Sequence, residues 1–188
     1  AAAVALGFAG YFTQLVKMPV LLAALLLVVA MTLINFIGIK ETSWFNTIST
    51  IIEFGGLILI IILGFRSFGS VDYFEMPKGF SGVMSSAALV FFAYMGFESV
   101  VKLGEETKHP EKVIPHALVY SVIITSILYV LVSLSAVSVL GWEQLSTSKA
   151  PLASVAAASL GKYAFLLLSI IALFSTSNTV LITLVATS

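Results

Sequence analysis

The chain contains no cysteine, which excludes disulfide bonds and thiol chemistry from any account of its 188 residues. Charged residues are also scarce, since Asp, Glu, Lys and Arg together make up only 10% of the sequence. A soluble domain usually carries about 25% charged residues, so this chain cannot cover a water-exposed surface in the usual way. Basic and acidic residues are balanced at nine each, and the resulting net charge of zero gives no reason to propose nucleic acid as a partner.

Enzyme motifs are missing as well. Neither a nucleophile elbow, nor a glycine-rich phosphate loop, nor an HExxH sequence occurs in the chain. The two histidines, His109 and His116, have no partner His, Cys or carboxylate at the spacing of a metal site. The sequence therefore gives no support to an enzyme, and we expect no metal ion and no cofactor.

Apolar residues dominate what is present. Hydrophobic residues make up 60% of the sequence, and the mean hydropathy is +1.12. These values are typical of an all-α polytopic transmembrane protein, in which each crossing helix needs roughly 20 apolar residues. We predict spans at 1–14 (partial), 20–39, 45–65, 81–102, 115–140 and 163–188, with a short interfacial or re-entrant helix at 151–160.

The first and last segments look incomplete. No methionine or charged leader precedes the apolar residues of segment 1–14, which is too short to cross a bilayer unaided. Segment 163–188 stops inside an apolar run. We therefore expect the chain to be a fragment of one transmembrane domain, cut at both ends.

Polar side chains recur at helical spacing in the span 45–65. Asn46, Ser49, Thr50 and Glu53 are predicted to share one face and to look into the helix bundle. Glu53 lies about two turns inside the span, where a carboxyl group favours its neutral form, so its protonation can be coupled to a conformational cycle. The alternative is a neutral glutamic acid that bonds Asn46 or Thr50 and joins helices.

The stretch 81–115 departs furthest from a simple membrane anchor. Its apolar run meets the sequence YMGFE at 94–98 and then a cluster of charges closed by prolines. A carboxylate such as Glu98 costs about 2.5–3.5 kcal/mol at the bilayer centre, and Gly96 weakens the helix by about 1 kcal/mol relative to alanine. A helix opened there exposes N–H and C=O groups that bind charged solutes, which points to transport. Alternatively, Glu98 marks the helix end and reaches water.

A second polar interruption lies in the last span, at 175–179. Its hydroxyl and amide groups, on Ser175, Thr176 and Asn178 among others, offer oxygens for a small cation or donors for a substrate carboxylate. The alternative is ordinary packing of small residues between helices.

Segment 91–118, FFAYMGFESVVKLGEETKHPEKVIPHAL, resembles the amino acid–polyamine–organocation superfamily of permeases. In that family an aromatic-rich sixth helix with Gly-x-Glu or Gly-x-Asp is followed by Glu-Glu-x-Lys-Asn-Pro-x-Arg-x-Ile-Pro. Here His109 replaces the usual Asn and Lys112 the usual Arg. Residues 35–40 look like the end of the family's helix four, and 174–179 like the middle of its helix eight.

The resemblance implies a leucine-transporter-type bundle built from inverted repeats, with helices one and six broken at the substrate site. On that map the chain runs from the end of helix three into helix eight. The glycine-rich broken helix one, which supplies much of the pocket in relatives, is not in this sequence.

The resemblance also implies roles for individual residues. The substrate-binding residues would be Phe92, Ala93, Tyr94, Met95, Gly96, Phe97 and Glu98. Phe92 would be the aromatic gate over bound substrate. Coupling would involve Ser175, Thr176 and Asn178, which face the pseudo-sodium region of helix eight, and Glu53, which occupies the place of a helix-five lysine in some proton-coupled relatives. Because this chain has glutamate there, the lysine mechanism cannot simply be transferred.

We therefore expect a secondary active transporter that moves amino acids by alternating access, through proton-coupled symport or amino-acid exchange. Its partners would be the amino acid, a proton or counter-transported amino acid, and the lipid of the plasma (cell inner) membrane. One alternative is a transporter of polyamines or other organic amines. Another is a structural membrane subunit that transports nothing and uses its polar residues only for packing.

Overall fold

The computed structural model describes residues 2–37, 39–91, 94 and 109–187, and gives side-chain surroundings for 2–36, 44–91, 94 and 109–184. This part of the chain contains seven α-helices and no β-strand. The helices are α1 (Ala2–Leu15), α2 (Val20–Ile37), α3 (Ile39–Phe65), α4 (Gly79–Phe91), α5 (Pro110–Thr147), α6 (Pro151–Leu160) and α7 (Lys162–Thr187).

Three of these helices contain stretches that are long and apolar enough to cross a membrane, namely Trp44–Phe65 in α3, Pro110–Thr147 in α5 and Lys162–Leu184 in α7. The shorter α1 and α2 meet the same criterion only as a pair, and they are bent by 117° at the break between them. Pro19 lies in that break, directly before α2, where its fixed φ and missing N–H disfavour a continuous helix. The described part of the chain is thus all-helical, and its long apolar helices indicate a multi-pass integral membrane protein.

The described helices divide into two units, 1–71 with 132–188, and 72–131. In the first unit α7 is the central element, because it packs against α1, α2, α3 and α6. Small residues at these contacts let the helix backbones approach closely. The core around α1, α2 and α7 is formed by Ala5, Ala9, Ala23, Ala24, Leu27, Met31, Val180 and Leu181, and the core around α3, α6 and α7 contains Ile60, Ala153, Val155, Ala156, Ala164 and Leu168.

The second unit contains α4, Tyr94 and the first part of α5. The hydroxyls of Tyr94 and Ser126 share a hydrogen bond of 2.9 Å, and the rings of Tyr94 and Tyr129 meet edge to face at 5.5 Å. α4 has no buried residue. The remainder of the predicted span 81–102 lies outside the described residues, apart from Tyr94.

Two helices begin earlier than the sequence predicted. The polar segment 38–44 was expected to form a break, but α3 begins at Ile39, in keeping with the good helix propensity of Lys40 and Glu41. Pro115 was expected in the first turn of its helix, but Pro110 is the first residue of α5 and Pro115 lies inside it. Pro110 suits this place because the first turn needs no intrahelical N–H donor.

Two glycines in the first unit are required by backbone geometry. Gly141 has φ 75° and ψ 156° and bends α5 before its last residues, and this left-handed φ strains any other residue. Gly64 lies where α3 touches α5, since a Cβ there would be 2.3 Å from the Cβ and 2.6 Å from the Cα of Ser135. Helix α3 reaches α5 only because this position has no side chain.

Gly64→Ala is expected to destabilise the protein by about 1–3 kcal/mol, because the added methyl group overlaps the Ser135 backbone and forces the helices apart. Gly55→Ala is the matched control, since a Cβ there meets nothing within 4 Å. The control should stabilise the helix by up to about 1 kcal/mol. The measurement is unfolding of the detergent-solubilised protein, and equal stability of the two variants would contradict the close contact.

Candidate coupling site

A cavity of about 160 Å³ lies among α1, α3, α6 and α7 in the first unit. Most of its lining is apolar, as expected inside a membrane domain. The polar side chains that line it are Tyr11, Glu53, Ser175 and Thr176. A carboxyl, a phenol and two aliphatic hydroxyls thus line one small cavity. None of the residues that line this cavity is fully exposed.

The face of α3 that carries Glu53 is set by spacing of three and four residues. Ser49, Gly56 and Ile60 are buried at this spacing, and Glu53 is half-buried between them. The predicted inward face is therefore present for Ser49 and Glu53. Thr50 was expected on the same face, but it is exposed, and its hydroxyl donates a 2.8 Å hydrogen bond to the Asn46 carbonyl of its own helix. One residue of helical rotation, about 100°, is enough to turn Thr50 away.

Gly56 brings α7 close to the Glu53 cavity. A Cβ at this position would lie 2.7 Å from Cγ2 of Ile171 on α7, so any larger residue displaces that side chain. Among the described residues, none forms a hydrogen bond or ion pair with the Glu53 carboxyl group. The alternative in which Glu53 bonds Asn46 or Thr50 is therefore not the arrangement seen. The carboxyl group faces the cavity.

On α7, Ser175 and Thr176 supply the hydroxyls of the cavity. The Thr176 hydroxyl donates to the Ala172 carbonyl at 2.7 Å, a bond within its own helix. Because the hydroxyl proton is used there, the Thr176 oxygen presents its remaining lone pair to other groups. The Thr176 oxygen is therefore better suited to accept a hydrogen bond or bind a cation than to donate to a carboxylate.

Asn178 joins the same two helices beside the cavity. Its Nδ2 donates a 2.9 Å hydrogen bond to Oδ1 of Asn46, and the Phe45 and Phe174 rings lie 6.4 Å apart next to it. Two buried oxygens, Asn178 Oδ1 and Ser49 Oγ, find no hydrogen-bond partner in the described part of the chain. We call the set Asn46, Ser49, Glu53, Ser175, Thr176 and Asn178 the α3–α7 polar seam.

Three of the four coupling residues expected from the sequence, Glu53, Ser175 and Thr176, thus line one cavity, and the fourth, Asn178, lies in the same seam. Of the expected substrate-binding residues, Tyr94 is described and belongs to the other unit. Phe92, Ala93, Met95, Gly96, Phe97 and Glu98 are not among the residues that the structure describes.

Tyr11 is a cavity residue that sequence reasoning missed. Segment 1–14 was treated only as the end of a span, although a tyrosine within an apolar helix is a signal, because its hydroxyl needs a polar partner when buried. Here the Tyr11 hydroxyl lies against the backbone of Leu152, at the start of α6. Tyr11 therefore ties α1 to α6 at the edge of the cavity.

A family model described as amino acid permease matches residues 1–188, the whole chain. The chain belongs to the amino acid permease family. The resemblance drawn from segment 91–118 is therefore confirmed, and it rests on more than the motif, because the match covers every helix described above.

Individual relatives agree with the family. The chain is 33% identical over 181 residues to the branched-chain amino acid permease BcaP of Bacillus subtilis, covering 81% of this chain and 38% of that permease. It is 34% identical over 170 residues to the vacuolar cationic amino acid transporter 8 of Arabidopsis thaliana, covering 87% and 27%. It is 32% identical over 126 residues to the methylthioribose transporter of Bacillus subtilis, covering 66% and 27%. The chain thus spans well under half the length of these relatives.

The hydrogen bond between Asn46 and Asn178 should be measurable as a coupling energy. In a double-mutant cycle of Asn46→Ala and Asn178→Ala, each single variant should lose about 1 kcal/mol of stability and the coupling should be about 0.6 kcal/mol, the mean for such bonds in membranes. The measurement is the free energy of unfolding in detergent micelles.

Thr179→Ala serves as the control for this cycle, because the Thr179 hydroxyl bonds only the Ser175 carbonyl of its own helix and the residue is exposed. Thr179→Ala should show no coupling to Asn46→Ala. A coupling near zero between Asn46 and Asn178 would contradict the interhelical bond.

Proposed function

We propose that the protein is a secondary active transporter that moves amino acids across a membrane by alternating access, with Glu53 as the coupling group. The observation that carries this proposal is the placement of the Glu53 carboxyl in a small cavity between apolar helices, beside Ser175 and Thr176 and without a fixed partner among the described residues. A carboxyl group so placed can exchange a proton without first breaking an ion pair.

The geometry favours proton coupling over a purely structural role. A residue that only joins helices makes bonds across the contact, as Asn46 and Asn178 do. Glu53 makes none within the described part of the chain. The free Thr176 lone pair can accept a hydrogen bond from the neutral acid, whereas the ionised form would need a cation or water in the cavity. The two protonation states therefore favour different occupants of this space.

For the substrate itself we propose a second site, at residues 92–98. Support comes from membership of the permease family, from the Gly-x-Glu sequence at 96–98, and from the leucine-transporter-type bundle that the resemblance implies. In this proposal Phe92 closes over the substrate while the backbone of 93–95, together with Gly96, Phe97 and Glu98, binds its charged groups. The seam between α3 and α7 then supplies coupling, not substrate binding.

The family favours an amino acid as substrate, and two of the relatives are named as amino acid permease or transporter. The methylthioribose transporter names a substrate that is not an amino acid, so an organic amine or another small polar solute is the second candidate. We place the protein in the plasma membrane of the cell, although one relative is named as vacuolar.

If Glu53 couples proton movement to transport, Glu53→Gln should abolish the pH dependence of uptake. In proteoliposomes that contain the natural protein, uptake should rise as the external pH falls, because protons drive the substrate inward. The variant is expected to lose about tenfold or more of proton-driven accumulation, since glutamine cannot release a proton.

Glu143→Gln is the matched control for that experiment, because it removes an exposed carboxyl group at the end of α5, outside the cavity. The control should keep the pH profile. Unchanged pH dependence in Glu53→Gln would remove Glu53 from the coupling mechanism. Uptake that needs amino acid inside the vesicles and ignores pH would show exchange in place of symport.

The substrate class can be tested by binding. A panel of amino acids and organic amines should include one class that raises the thermal unfolding temperature of the natural protein, and Glu98→Gln should weaken that effect because the substrate loses a charged partner. Stabilisation by amines alone would favour the second candidate. If no compound of the panel raises the unfolding temperature of the folded protein, amino-acid transport is contradicted.

A further inference from the structure

Two cavities of the first unit meet at one side chain. The first is the 160 Å³ cavity that holds Glu53, and the second is a pocket of about 500 Å³ between the end of α5 and the start of α6. Among the described residues that line them, the two share only Leu152. This leucine therefore stands between the carboxyl group and the larger space.

The two cavities differ in their access to the outside. The larger pocket opens to the surface, where Ser133, Trp142 and Ser146 of its lining are exposed. Every residue lining the smaller cavity is buried or half-buried. Leu152 therefore separates the more open pocket from the cavity that holds Glu53.

Hydroxyl contacts fix the position of Leu152. It follows Pro151 at the start of α6, and the hydroxyls of Ser148 and Ser154 share a 2.9 Å hydrogen bond across that start. The Ala150 N–H donates to Ser148 Oγ at 3.2 Å, and the Ser154 N–H donates to the Ala150 carbonyl at 2.9 Å. The first turn of α6 is thus tied to the residues before it, which fixes the backbone that carries Leu152.

We infer that Leu152 is a positioning residue that controls the access of water, and hence of protons, from the larger pocket to Glu53. A leucine side chain offers neither donor nor acceptor, so a hydrogen-bonded chain of water cannot pass through the space it fills. Displacement of this side chain joins the two cavities and completes the path. The inference rests on the proposed function in taking Glu53 as the group that needs this path.

Thiol labelling tests the partition without requiring transport. The chain has no cysteine, so Glu53→Cys introduces a single thiol into it. The Glu53→Cys variant is treated with methanethiosulfonate ethylammonium. The same protein with Glu53 retained gives the background labelling rate. Adding Leu152→Ala should raise the labelling rate about tenfold, because the truncated side chain leaves an opening, and Leu152→Phe should lower it.

Two controls separate the partition from general loosening of the fold. Leu145→Ala makes the same truncation in a residue that lines only the larger pocket, so it should leave the rate at position 53 unchanged. Ser133→Cys places a thiol in the larger pocket, and Leu152→Ala should not change its labelling rate. Leu152→Phe keeps the test decisive if Leu152→Ala fails to fold.

The inference is overturned if Leu152→Ala and Leu145→Ala raise the rate at position 53 equally, or if neither Leu152 substitution changes it. It is also overturned if Leu152→Ala accelerates labelling at positions 53 and 133 alike. These rates are independent of the pH dependence of uptake. A partition at Leu152 with pH-independent uptake would therefore reject coupling through Glu53 while leaving the access path in place.

Discussion

The architecture of the first unit depends on the cost of placing polar groups between apolar helices. In a membrane domain such groups must find partners within the protein, and α3 and α7 meet this need by facing their polar stripes toward each other. The Asn46–Asn178 hydrogen bond joins the two stripes at 2.9 Å. Helix α7 also packs against α1, α2 and α6 through apolar residues, so it joins four neighbouring helices.

Within that contact the polar residues divide into two kinds. Asn46 and Asn178 bond each other across the contact, whereas Glu53, Ser175 and Thr176 line a cavity. A structural seam would be expected to pair all of its members, because an unpaired polar group weakens the fold. Glu53 has no such partner among the described residues, and this is the reason to propose a function for the cavity beside α6.

Much of this arrangement could be predicted from local sequence. Hydropathy indicated the apolar helices, and the spacing of Ser49 and Glu53 indicated the inward face of α3, because both signals depend on residues close in the chain. Thr50 was misplaced because it lies at one edge of the arc of about 100° that the four polar residues cover, whereas the buried face of α3 is centred toward the other edge, near Ser49 and Gly56. Tyr11 was missed because its place in the cavity depends on the tertiary packing of α1, which no local pattern encodes. The starts of α3 and α5 shifted because Lys40, Glu41 and Pro110 are compatible with helix where a polar loop was expected.

The glycine contacts of α3 have a mechanical consequence. Gly56 meets Ile171 of α7, and Gly64 meets Ser135 of α5, so one helix touches two neighbours through gaps that admit no side chain. With a rise of about 1.5 Å per residue, these contacts are about 12 Å apart along the axis. Rotation of α3 about its axis would drive larger side chains into both gaps. The rotational orientation of α3 about its own axis is therefore fixed. We therefore expect α3, α7 and the end of α5 to keep their relative positions as one rigid body.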